Sequence, residues 1–304
     1  MRSNRFLLLL GLTSLAFASC SNEKGVTDLT SGNQSQTDEQ AVSTLMSDED
    51  AYFSAGESMA GDQVGVENAG GKQSASGAPI ESFYFIRQIT DRDVVREVHV
   101  EHPQGEPAVA TVATIENLEG IFHLFYDDPD NVYLPGVIDK PLAARAEHNA
   151  LFVQRGRPHQ RHRGWKLAEI SGVKIQSIPV TKGILSLEII SQSVNMVITD
   201  PLELLPLPDL PTFRPGEEVT LRVITSDETD YVFLHTAFLK DEFRPVGGGV
   251  FEGTWSVGER RGPRRVAVDV LDRETLFDDE APSDSAIWVL HYRVDGEAQD
   301  DFES

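Results

Sequence analysis

From Ile80 onward the chain is written in short runs of Val, Ile, Phe, Thr and Tyr cut by clusters of Gly, Pro, Asp and Asn, a texture that restricts it to β-structure. Branched and aromatic side chains suit a pleated, half-buried surface, and Gly and Pro break it into turns. The first half predicts strands over residues 83–89, 94–102, 108–115, 121–126, 146–154 and 165–175, with turns at 103–107, 127–131 and 155–164. Val98 and Val100 fall on one face of the second strand, and Glu97, His99 and Glu101 on the other. Further strands are expected over 231–238, 241–246, 250–257, 264–271 and 285–294. Phe251, Trp255 and Val257 alternate with Glu252, Thr254 and Ser256. Val266, Val268 and Val270 point inward with Arg265, Ala267 and Asp269 opposite, and Trp288, Leu290 and Tyr292 complete the inward set. The expected fold class is mainly β, in two β-rich domains over residues 79–178 and 179–295, joined somewhere in 176–212.

What precedes this region has a different character. Residues 20–78 are rich in Ser, Gly, Gln, Asp and Glu and poor in large apolar side chains, so they cannot bury enough surface to offset their ordering entropy. They read as a disordered acidic tether, in which one short helix at 42–53 is the only element in prospect. Residues 296–304 form an acidic tail. The amino end has a basic start, Arg2 and Arg5, and an apolar run over 6–17 that is too short to span a bilayer.

That run closes on Phe17-Ala18-Ser19-Cys20, which resembles the signal of bacterial lipoproteins. The resemblance implies that residues 1–19 are a signal peptide and that Cys20 becomes the acylated first residue of a membrane-anchored protein of the cell envelope, facing periplasm or exterior. As the only cysteine, Cys20 also leaves no internal disulfide, redox pair or cysteine-based zinc site. Residues 199–225, ending in Phe213-Arg214-Pro215-Gly216-Glu217-Glu218-Val219-Thr220-Leu221-Arg222-Val223, resemble the first-to-second-strand passage of bacterial immunoglobulin-like domains. This implies an immunoglobulin-like β-sandwich for 179–295. Residues 152–173, with a basic turn and Gly164-Trp165-Lys166-Leu167, look like the closing hairpin of the nuclear-transport-factor-like cone fold; a sandwich or an open barrel is an equal expectation for 79–178.

The chemistry is sparse. There is no GxSxG elbow, HExxH helix, GxxxxGK loop or GxGxxG turn. With 49 acidic and 26 basic side chains the net charge is −23, which argues against a nucleic-acid partner. One basic island interrupts this acidity: Arg155, Arg157, Arg161, Arg163 and Lys166, with His159 and His162 among them. It is either an anion contact, to lipid head groups, a polyanionic envelope polymer or the acidic surface of another copy, or a solvated hairpin tip. In a sandwich the loops 226–230 and 272–284 meet at one pole and gather Asp227, Asp230, Asp272, Asp278, Asp279 and Asp284, a carboxylate set suited to calcium. No cofactor other than calcium is suggested. The expected function is a non-enzymatic envelope lipoprotein that binds or scaffolds a protein or envelope polymer. The alternative is a cone-shaped small-molecule-binding or catalytic domain in 79–178.

Overall fold

A computed structural model describes residues 36–53, 64–65, 82–126, 134–236 and 240–294. Cys20, the expected signal peptide, most of the expected tether and the acidic tail lie outside the described residues. Two helices come first, α1 (Asp38–Asp48) and α2 (Asp50–Phe53), followed by β1 (Val64–Gly65), β2 (Ser82–Glu101), β3 (Val109–Tyr126), β4 (Gly136–Gln154) and β5 (Trp165–Ser177). Residues 38–53 are therefore not part of a disordered tether. Thr37 caps α1 in a reciprocal box with Gln40, and Ala41, Val42, Leu45 and Met46 are buried against the sheet.

Strands β2 to β5 form an antiparallel meander of long strands, 20 residues in β2 alone. Pairs of expected strands have fused. β2 runs through 90–93 on a bulge between Ile89 and Asp91, and β3 joins the expected 108–115 and 121–126 segments. The bulge explains Gly120, because a Cβ there would collide with the Gln88 carbonyl oxygen.

The rest comprises β6 (Ile184–Ile190), β7 (Asn195–Ile198), β8 (Leu205–Pro206), β9 (Thr212–Phe213), β10 (Glu218–Thr225), β11 (Tyr231–His235), β12 (Lys240–Glu242), β13 (Arg244–Gly247), β14 (Val250–Ser256), β15 (Gly262–Leu271), α3 (Arg273–Phe277) and β16 (Ser285–Val294). One sheet is ordered β13-β14-β10-β6-β7 and faces β12-β11-β15-β16 across a core that includes Leu187, Val219, Leu221, Phe251, Trp255, Val268, Trp288 and Tyr292. This is the strand order of an immunoglobulin-type sandwich.

No seam separates the two halves. β5 pairs with β16, Ile175 opposite Ile287 and Val173 opposite Val289, so the meander and one sandwich sheet are a single sheet, ordered β1-β2-β3-β4-β5-β16-β15-β11-β12. That sheet coils until β1 lies beside β12. Its inner face encloses a second core, with Phe85, Phe122, Leu142, Val173, Phe233, Ile287 and Val289. Strands β11, β15 and β16 are consequently buried on both faces. Ala267 and Asp269, expected on an outer face, are buried in the second core instead.

One ion pair crosses this interior. Arg87 of β2 donates two hydrogen bonds to Asp269 of β15, at 2.5 and 3.0 Å, and His235 of β11 lies 3.2 Å from the same carboxylate. Burial raises the Asp269 pKa, but Arg87 and His235 outweigh it and hold the carboxyl below its ordinary value. Lys140, also buried, donates to the carbonyl oxygens of Thr275 and Asp278 at 2.6 Å, satisfying chain ends around α3.

Candidate functional site

The basic turn is occupied by the chain itself. Arg161 Nη2 lies 2.8 Å from Asp48, His162 Nε2 lies 3.0 Å from the same carboxylate, and Arg163 Nε lies 2.8 Å from Asp38. Trp165 Nε1 donates to Asp38 as well, at 2.9 Å. Their partners belong to α1 of the same chain and not to another copy. Burial acts to raise the Asp38 pKa, yet the bonds from Arg163 and Trp165 win and lower it. His162 and Arg163 hold left-handed backbone angles, φ 48° and 53°, which non-glycine residues adopt at some cost. Arg155, Arg157 and Lys166 are on the exposed part of the turn.

The expected calcium cluster is also rearranged. Asp227, Asp230 and Asp272 do converge, but on the Lys182 ammonium, at 3.1, 3.3 and 3.0 Å. A cation already sits where calcium was expected, and among the described residues no group of three or more His, Cys, Asp or Glu side chains is arranged to hold a metal ion. Asp284 is turned away to Ser177 and Thr181, and Asp278 accepts from the backbone N–H groups of Glu280 and Ala281. Within the cluster, burial pushes Asp230 up to about 6, while hydrogen bonds from Thr229 and Lys182 bring Asp227 down to about 2. Sequence reasoning missed Lys182 because it lies outside both loops, just before β6.

The unassigned polar chemistry lies on the inner face of the meander, between the α1-covered core and the second core. Arg96, Thr114 and His148 stand in one cross-strand row over β2, β3 and β4, and Val94, Glu116 and Ala146 in the next. Residues in one row project from the same face, with strands about 4.8 Å apart. His291 of β16 lies on the same face, two residues beyond Val289, which continues the row of His148 and Val173. Thr114, Glu116, His148 and His291 are 1%, 0%, 3% and 4% exposed, whereas Arg92 and Arg96 are exposed at the rim. Arg92 Nη2 donates to Glu116 Oε1 at 2.8 Å.

Six buried polar atoms here have no hydrogen-bond partner among the described residues: Thr114 Oγ1, Glu116 Oε2 and both ring nitrogens of His148 and His291. Leaving such groups unpaired costs about 1–3 kcal/mol each. Burial pushes His148 down to about 4, helped by Arg96 and Arg92, and His291 down to about 3, helped by Arg265 and His148. Both rings are neutral at pH 7, and each then offers one N–H donor and one bare nitrogen.

Local structure builds the belt. α2 roofs it, with the Tyr52 ring 5.6 Å from that of His291 and the Phe53 ring 5.8 Å from that of His148. A bulge in β5 at Ser171-Gly172 shifts the register between His148 and Ala150. Ser171 Oγ accepts from the Asn149 N–H at 2.8 Å, and Gly172 passes so near β16 that a Cβ would stand 2.6 Å from the Val289 carbonyl oxygen. Beside the bulge lies a cavity of about 100 Å³ lined in part by Ile170, Ser171, Leu205, Leu210 and His291. None of the belt residues stood out in the sequence, though Thr114 and Glu116 interrupt an otherwise apolar face of β3.

No protein-family model, curated protein or solved structure matches this chain. The fold and the belt therefore define it only as a mainly β protein in which a sandwich and a coiled sheet share strands.

Proposed function

We propose that this protein is a binding protein of the bacterial cell envelope, held to a membrane through Cys20, whose concave meander takes a small molecule at the Thr114–Glu116–His148–His291 belt. The observation that carries this reading is the set of six buried polar atoms without partners, which a ligand's own polar groups would satisfy. The neighbouring core, by contrast, joins Arg87 to Asp269 through two hydrogen bonds and leaves two buried atoms, Arg87 Nε and His235 Nε2, without one among the described residues. Binding fits better than catalysis, because neither imidazole has the second hydrogen-bonded group that orients a general base.

Native mass spectrometry of the full chain, after incubation with a small-molecule extract of bacterial envelopes, tests the proposal. The expected result is a discrete bound mass on the wild type that is absent from a Thr114→Val/His148→Phe variant. That variant should melt no lower than the wild type, since apolar replacements relieve unpaired groups. An identical adduct on both proteins, or none on either, overturns the reading.

A further inference from the structure

We propose that the cavity beside the β5 bulge binds a small amphiphilic amine, with its ammonium group at the mouth, its apolar body inside and a hydroxyl against His291. The cavity shares only His291 with the belt, so the proposal goes beyond the binding reading above. An interruption of the sheet creates the space. Pairing of β5 with β16 ends at Val173 and Val289, and β9 takes up that edge of β16 only at Thr212 and Arg293. Leu290 and His291 therefore have no strand beside them there, and the cavity lined by both of them, with Gly172 and Pro211, opens at the gap.

The lining is mostly apolar, with Ile170, Met196, Ile198 and Leu205 among its side chains. Its polar side chains are few. Ser171 Oγ is already used, accepting from the Asn149 N–H and donating to the Gly172 carbonyl oxygen at 2.6 Å. Asp200 Oδ1 accepts from the Leu202 N–H at 2.9 Å. Two groups remain without a hydrogen-bond partner among the described residues, the Glu203 carboxylate and the His291 ring, the latter only 4% exposed. A hydroxyl answers the neutral imidazole, because it can donate to the bare nitrogen or accept from the N–H. A wholly apolar ligand would leave the ring unpaired.

Charge places the amine. Asp200 and Glu203 are exposed at the mouth, and among the described residues no lysine or arginine lines the cavity. Arg265 faces His291 across the β15–β16 pair and disfavours positive charge at that depth. An ammonium is accordingly held at the exposed carboxylates, where it keeps part of its hydration, and an anionic ligand is repelled. Volume limits the body. The cavity measures about 100 Å³, about two-thirds of the ~150 Å³ that accommodates benzene in an engineered apolar core, so it takes roughly four to six carbons.

Methyl NMR titration of the full chain with 5-aminopentan-1-ol, pentan-1-ol, pentylamine and 5-hydroxypentanoate separates these requirements, read at Ile170, Ile198, Leu205 and Leu290. Aminopentanol is expected to bind at least about threefold more tightly than pentanol, which lacks the charge, or pentylamine, which lacks the hydroxyl. It should exceed hydroxypentanoate, whose charge is reversed, by at least about tenfold. The exposed pair of changes Asp200→Asn/Glu203→Gln should bring aminopentanol to the level of pentanol, and His291→Phe to that of pentylamine. Leu205→Trp fills the cavity at unchanged net charge and should abolish the shifts, which general attraction of a cation to a chain of charge −23 would not do. Aminopentanol binding no more tightly than any of the other three, an Asp200→Asn/Glu203→Gln or Leu205→Trp variant indistinguishable from wild type, or no shift with aminopentanol overturns the proposal. The envelope-extract adduct is tested through Thr114 and His148, which do not line this cavity, so the two proposals fail separately.

Discussion

Arg163 and Asp38 are 125 residues apart in the chain and 2.8 Å apart in the fold. Their ion pair fastens α1 to the turn between β4 and β5, over the apolar end of the meander formed by Ala110, Val112, Ala150 and Phe152. Both partners are largely buried, so the pair is shielded from the screening that makes surface ion pairs weak.

Asp38→Asn should accordingly lower stability by about 1–3 kcal/mol, the range for a partly buried charged hydrogen bond. Limited proteolysis should begin to cut within 36–53 before the β core is touched. Asp48→Asn faces a more exposed pair with Arg161 and should cost under about 1 kcal/mol. Chemical denaturation and peptide mapping together check the order of the two effects.

The Arg87–Asp269 pair behaves differently because it is buried in the second core. Removing one partner strands a charge in an apolar interior, so Arg87→Met or Asp269→Leu alone should cost about 3–5 kcal/mol. The double variant should recover most of that loss, since the charge it leaves behind is zero. A double-mutant cycle in urea measures this, and additive losses would show that the pair does not act as a unit.

His148 and His291 make stability fall in acid. Their folded pKa values, about 4 and about 3, lie below the ordinary 6.5. Between these values the unfolded chain binds more protons than the folded one, so stability rises with pH from about 3–4 to 6.5 and is lost in the reverse direction. Asp230, raised to about 6, has the opposite sign between 3.8 and 6 and blunts the effect. The double variant His148→Phe/His291→Phe should flatten the acid limb relative to wild type, as read from melting temperatures between pH 4 and 7. A limb unchanged in the variant would count against neutral burial of these rings.

Cys20 carries the localisation expectation. Cells fed an alkyne fatty acid should label the wild-type chain and fractionate it with membranes, and Cys20→Ser should abolish both. An unlabelled wild type would refute the anchor.

The mainly β class, the long meander and the sandwich strands were legible from residue texture alone, because alternation with a period of two follows directly from strand geometry. Even the two-faced burial of β15 and β16 left a trace: Val266-Ala267-Val268 and the run from Ala286 to Leu290 carry no charge, as strands covered on both sides do. Partnership across sequence distance was not legible. Alternation says that Asp269 faces away from Val268, but only the coiling of the sheet puts Arg87 opposite it and makes that second face an interior. The acidic loops looked like a calcium pole until Lys182 filled it, and the basic turn looked like an anion site until α1 arrived. For the same reason His148 and His291, 143 residues apart, became neighbours only through the β4-β5-β16 pairing. Local sequence sets which face a side chain takes along its own strand. Which faces become a closed interior depends on long-range pairing, and that pairing brings Arg96, Thr114, Glu116, His148 and His291 into one belt.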